Sequence, residues 1–316
     1  MREELDGLSG HINGAEQLWR DLLELSRATD SASLRAESVA GLGMVCLARG
    51  HLAEGRKRLE SAQVLLHGHG TDLEQARRLL LLCELDLSGG RLLESQRRAR
   101  EAEGLAREVP RVLTCVRCLG MQAWAAWAMA EDVEAARSVR SGTSLLEARG
   151  LKGSAEELRA QLPLARTWAL LGKLDKARAL LPQDLDIDER GLDDPEGQRL
   201  ALIARLSIGQ DTTLARRWLD QALARPAAAL PWAAARIELD ATHTLRVLGD
   251  RDGAIAALNR AEDRLKDGEL SLMELEAARL GRALKLDGDY AERVQRLNRM
   301  LKGELAELSN FTARWS

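Results

Sequence analysis

The chain has 316 residues, 45% of them hydrophobic, 30% charged and only 3% aromatic, with a formal net charge of −3. That balance argues for an ordered, helix-rich protein and against bulk nucleic-acid binding, which wants a basic domain. No apolar run approaches the roughly 20 residues of a membrane span, and the start, MREELDGLSG, lacks the apolar core of a signal peptide. No membrane partner and a cytoplasmic location are therefore expected.

Ala, Leu, Arg and Glu dominate, all good helix formers, and apolar residues recur at three- and four-residue spacings, so no segment reads as a strand. In chain order the pattern predicts a turn at Gly10 and a helix over 12–27. Pairs of helices follow, each pair joined by a turn: 33–49 and 51–67 about Gly50, then 72–88 and 91–107 about Gly90. Next come 111–129 and 131–147 about Ala130, which fills the one slot without glycine, and 155–171 and 173–181 about Gly172. The last are 195–208 and 211–224 about Gly209, 231–248 and 250–266 about Gly249, and 271–287 and 289–302 about Gly288. Ser271 and Asp211 read as N-caps, Pro195 and Pro231 as first-turn prolines, and Pro163 predicts a kink or a break just before it. Residues 304–316 read as a capping helix with Phe311 and Trp315.

The turns fall at intervals of 40, 40, 40, 42, 37, 40 and 39 residues, the mark of a stacked repeat array. Five residues after each turn a small residue stands at Ala15, Gly55, Ser95, Ala135, Ala177 and Ala254, with Ala215 one residue out of step and Arg293 breaking the rule. A small side chain there lets the second helix approach the first closely. Nine residues after the turn come Trp19, Leu59, Ala99, Val139, Leu181, Leu258 and Leu297, and before it large–small pairs such as Leu42-Gly43 and Leu280-Gly281.

This order of Leu-Gly/Ala, turn, Ala and Leu resembles the tetratricopeptide repeat over essentially the whole chain. The unit is about 40 residues against that family's 34, similar to the longer variant in bacterial regulators and sensors. Armadillo and HEAT arrays share the longer period, but their third helix and Pro/Asp turns are not visible. The resemblance implies an all-α, right-handed superhelical solenoid of about eight helix-turn-helix repeats over 1–303. First helices would line one long concave trough. Only nine residues precede Gly10, so two readings stand: the segment is the C-terminal part of a longer polypeptide, or its first helix is short.

Catalytic and metal motifs are wanting, and no enzyme activity, cofactor or metal is expected. Cys115 and Cys118 have no second pair to complete a zinc site, and with Cys46 and Cys83 read as reduced core residues. His67 and His69, in a glycine loop, make a poor preformed metal site. Asp184, Asp186 and Asp188 resemble a calcium loop, but Glu189 and Pro195 occupy its glycine and glutamate positions. No phosphate-loop string opens a helix after a strand.

A binding surface is better supported. Thirteen residues before the turn stand Arg77, Arg117, Arg159 and Arg236. Six before it come Trp124, Arg166, His243 and Arg282, and three before it Trp127 and Arg246. These offsets fall near one helix face, so the inner surface should carry a basic ladder around two tryptophans. Two readings of it stay open. One is a groove for an acidic or carboxylate-bearing protein or peptide, since the planar Arg fork pairs with two oxygens and Trp adds contact area. The other is structural pairing with acids on neighbouring helices, such as Asp86 or Asp240. No Asn lies on a predicted first helix, so the chaperone-tail clamp of the family is not implied. The expected function is a non-catalytic scaffold in bacterial regulation or signalling, bacterial because Arg greatly outnumbers Lys. The alternative is a ligand-sensing module of a multidomain kinase or nucleotide-driven regulator.

Overall fold

A computed structural model of the chain describes residues 2–67, 70–108, 111–149, 153–182, 192–225, 228, 230–266 and 269–304, with side chains described from 12 to 301 within those ranges. Among them there is no strand, and consecutive helices pack neighbour to neighbour. In order these are α1 (Arg2–Ala28), α2 (Ala32–Ala48), α3 (Leu52–Leu66), α4 (Asp72–Gly89), α5 (Leu92–Glu108), α6 (Val112–Ala128), α7 (Asp132–Arg149) and α8 (Ala155–Leu170). Then come α9 (Leu174–Ala179), α10 (Pro195–Ser207), α11 (Thr212–Ala224), α12 (Pro231–Val247), α13 (Arg251–Arg264), α14 (Ser271–Ala283) and α15 (Tyr290–Glu304). No helix among the described residues is long and apolar enough to cross a membrane.

The turn positions explain the hairpins. Gly50, Gly90, Gly172 and Gly249 have φ between 74° and 85° and Gly288 has φ 140°, while Ala130 adopts φ 65° in the slot that lacks glycine. In this left-handed conformation the amide after the helix bonds back to the last carbonyls, as Gly90 N–H does to Leu87. The small residues five beyond the turns, Gly55, Ser95, Ala135, Ala177, Ala215 and Ala254, are all buried. Leu59, Val139, Leu181, Leu258 and Leu297 fill the space behind them, each fully buried Leu contributing about 1.5–3 kcal/mol. Where Arg293 breaks the small-residue pattern, the Tyr290 ring lies against Gly281 of α14 instead.

Several expectations are corrected. No turn occurs at Gly10: α1 runs unbroken through it. The apolar period Leu5, Leu8, Ile12, Ala15, Trp19, Leu22 continues across the glycine, and one interior glycine costs only about 0.5–1 kcal/mol. Ser271 is the first residue of α14, and Leu270 precedes it as the cap, whereas Asp211 does cap α11 by accepting from Leu214 N–H. Pro163 does not break α8; the Thr167 hydroxyl donates to its carbonyl at 2.8 Å, and its ring packs where a Cβ on Gly120 of α6 would stand. The expected capping helix over 304–316 lies outside the described residues beyond Glu304, as do His69 and the 184–188 acidic loop.

The first helices do not form an open row. α4, α6, α8, α10, α12 and α14 each touch the next, and α14 touches α4. The closure is apolar: Leu272, Leu275 and Ala278 of α14 with Val294, Leu297 and Leu301 of α15 share one core with Leu79, Leu80, Cys83 and Leu87 of α4. Leu301 lies directly on Gly90, where a Cβ would collide with it. Each first helix in this circuit is backed by its own second helix.

Candidate functional site

The circuit brings together side chains far apart in sequence. Arg166 of α8 donates from Nη1 to Asp240 Oδ2 of α12 at 2.8 Å, and Arg205 of α10 donates from Nη1 to Asp240 Oδ1 at 2.9 Å. Arg236 of α12 pairs with Glu276 of α14, and Arg205 reaches the same Glu276 at 3.6 Å. Two guanidiniums approach the Trp124 ring of α6, Arg236 at 5.3 Å and Arg166 at 5.9 Å from its centroid. The contact from α8 to α12 skips α10 and that from α6 to α12 skips both α8 and α10, so these side chains meet inside the circuit. Cation–π contacts of this kind contribute about 0.5–2 kcal/mol, more when shielded from water.

Burial grades outward. Asp240 is fully buried, and Arg166 and Arg236 keep only 5% and 7% exposure. Arg205 and Glu276 are about a third exposed, His243 and Arg246 intermediate, and Arg282 exposed. Burial opposes ionisation of Asp240, but Arg166, Arg205 and Arg236 outweigh it and hold the carboxyl down at about 2. Burial, then the field of Arg205 and Arg246, pushes His243 down to about 4 although Asp240 and Glu276 oppose them, so its imidazole is neutral at pH 7. Burial also lowers the Arg166 pKa, and Arg236 adds to that, in spite of the Asp240 pair. The cations outnumber what the two acids balance.

The remaining residues of the expected ladder divide. Arg117 pairs with Glu84 of α4 at 3.0 Å, and Arg159 makes a two-pronged contact with Asp193 at 2.9 and 3.0 Å. Arg77 is exposed at the start of α4, away from the hub helices in the chain, and Trp127 is half-buried on α6. Arg77, Arg246 and Arg282 have no carboxylate partner among the described residues. Asp240 is among the acids expected to pair with the ladder, and Arg166 does pair with it. The rows missed Arg205, four before its turn, and Glu276, twelve before its own.

Elsewhere the chemistry is structural. Cys83, Cys115 and Cys118 are buried free thiols, and burial pushes Cys83 up to about 12, which leaves it unreactive. Among the described residues no group of three or more His, Cys, Asp or Glu is placed to hold a metal. A shallow depression of about 950 Å³ lies between α11 and the end of α12, lined by Thr212, Arg216, Asp220 and Val247, and brings together no reactive set. No family model matches the chain, and no curated protein matches it in sequence.

Proposed function

We propose that the chain is a non-catalytic, tetratricopeptide-like scaffold that holds an extended acidic segment of a protein partner against its first helices, in bacterial regulation or signalling. One observation carries the reading: Arg77, Arg246 and Arg282 stand on first helices without a carboxylate partner among the described residues, whereas Arg117, Arg159, Arg166 and Arg236 are already paired with acids. Only uncommitted guanidiniums have pairing capacity left for a partner. A right-handed superhelix of repeats, in which the inner helices present one continuous face, accounts for this row and for the regular turns.

Packing geometry limits what can bind. The Trp124 ring of α6 and the Arg236 guanidinium of α12 meet across the circuit 5.3 Å apart, so side chains fill much of its centre and leave only a restricted space. A restricted space favours an extended partner segment over a helix, which is about 10–12 Å across. The same narrowness favours the second reading, a sensor module whose ligand is small.

The test is binding of a fluorescent, extended Glu/Gly peptide by anisotropy, to the wild type and to the triple variant Arg77→Glu, Arg246→Glu, Arg282→Glu. Binding should weaken with salt and fall at least about tenfold in the variant, with an unchanged thermal midpoint. Equal binding by both proteins would remove the groove.

A further inference from the structure

The two ends of the helix array differ. α3, α5, α7, α9, α11 and α13 each lie between two first helices, and the last hairpin, α14 with α15, is covered by α4. Among the described residues α1 has α2 as its one substantial neighbour. It turns Trp19 onto Gly41 of α2 and leaves an apolar flank uncovered. Leu18 is 56% and Leu25 49% exposed, and Leu22 is half-buried. A terminal repeat that serves as a cap carries a polar outer face; α1 carries leucine there.

The flank also contains a hole. Gly14, Leu18 and Leu22 are spaced four apart and form one ridge, with Leu25 beside it on the same face. Elsewhere a helical glycine is filled from the facing helix: Leu47 lies where a Cβ on Gly55 would stand, Leu164 does the same at Gly142, and Tyr290 at Gly281. At Gly14 nothing stands within 4 Å of that position. An interior glycine costs helix stability, and here the cost has no return in packing within the chain. Gly104 of α5 is equally open, but the charged Arg100 and Glu108 flank it on its own ridge.

We propose that this flank is a self-association surface, on which α1 of a second copy packs antiparallel across a two-fold axis at Leu18. Leu18 then meets its counterpart. Leu22 lies as far beyond Leu18 as Gly14 lies before it, so each Leu22 falls on the other copy's Gly14. One surface supplies both knob and hole, as a two-fold contact requires. A head-to-tail contact needs a complementary surface at the far end of the array, and α4 already covers that end. α1 has 27 residues and is therefore about 40 Å long and about 10 Å across. Paired along that strip, two copies form an interface at the lower end of the specific range, a reversible dimer with a micromolar Kd. The contact is independent of what the inner face holds.

Analytical ultracentrifugation of the full chain tests it. The protein should pass from monomer to dimer, and no further, as its concentration rises through the micromolar range. Leu18→Glu brings two carboxylates together at the axis and should weaken association at least about tenfold. Val133→Glu, at an exposed valine of α7, should leave it unchanged. Gly14→Gln separates association from folding. It should raise the thermal midpoint of the monomer, because glycine is the poorer helix former, yet weaken the dimer by filling the hole. Leu18→Cys should crosslink between copies under mild oxidation, whereas Arg27→Cys, on the opposite side of α1, should not. A chain that stays monomeric overturns the proposal, as do oligomers that keep growing with concentration. A dimer indifferent to both Leu18→Glu and Gly14→Gln, or crosslinking as fast from Arg27→Cys as from Leu18→Cys, overturns it equally.

Discussion

Asp86 and Asp240 are both fully buried aspartates, each surrounded by three arginines, and they behave oppositely. Asp86, on α4, takes both Arg56 and Arg91 on Oδ1, while Oδ2 has no hydrogen-bond partner; Arg98 Nε is 3.2 Å away but poorly directed. Burial therefore dominates and raises its pKa from the ordinary aspartate value. Glu60 and Glu94 also draw on Arg98, and Arg97 and Arg98 hold Glu94 down at about 2. Asp240 instead has one guanidinium on each oxygen, and its charge is held. Equal composition gives unequal chemistry, because a carboxylate is stabilised by how its lone pairs are shared out. Asp86 is a knot that ties α3, α4 and α5; Asp240 is a hub that keeps cations ionised and close together inside the circuit.

The comparison is broken hardest by replacing each acid with its amide. Asp240→Asn leaves a buried guanidinium facing an amide N–H, and should lower unfolding stability by about 3–5 kcal/mol, as loss of one partner of a buried pair does. Asp86→Asn places its amide where no hydrogen bond existed and should cost no more than about 1 kcal/mol. Urea unfolding of the two variants measures the difference, and equal losses would erase the distinction between knot and hub.

Acid titration sharpens it. His243 binds its proton less readily folded than unfolded, so its share of stability is present above about pH 6.5 and lost as pH falls toward 4. Asp240 follows, its share being lost as pH falls from 3.8 toward 2. Asp86 has the opposite sign: with a raised folded pKa, protonation favours the folded state and offsets part of the loss. Stability measured by denaturant at several pH values should fall by up to about 1.4 kcal/mol per unit between pH 6 and 4.5, and His243→Gln should flatten that slope. A slope unchanged by the substitution places the titration elsewhere.

Turn backbones add effects of comparable or smaller size, at Gly90 beside the knot and at Ala130 between α6 and α7. Gly90, whose amide and that of Arg91 bond back toward Asp86 and Leu87, has φ 82° and lies under Leu301. Gly90→Ala should cost about 1–2 kcal/mol from the left-handed backbone alone, and more from the collision with Leu301. Ala130 already bears that strain at φ 65°, so Ala130→Gly should raise the thermal midpoint, by about 0.5–1 kcal/mol in stability. A loss in place of that gain would show that the extra freedom of the unfolded glycine outweighs the relief of strain.

Much of the architecture was legible in the amino-acid order. Helix pairs, turn positions and the small residue behind each turn follow from local spacing, since each hairpin's contacts lie within some forty residues of one another. Gly10 misled because a turn was inferred from one residue while the apolar period on either side ran straight through it. Arg56 and Arg98, on the second helices α3 and α5, turn inward onto Asp86. Pairing at that range depends on how α3 and α5 are set against α4, which spacing does not encode.

Periodicity by itself determined the all-helical class, the pairing of helices and which face of each first helix collects arginine, because those depend on residues a few turns apart. Only the tertiary structure decided that α14 returns to α4, that α6 and α8 reach across to α12, and which arginines are neutralised. Those contacts depend on the small rotation between successive hairpins accumulated over six of them, and no local run of residues carries that sum.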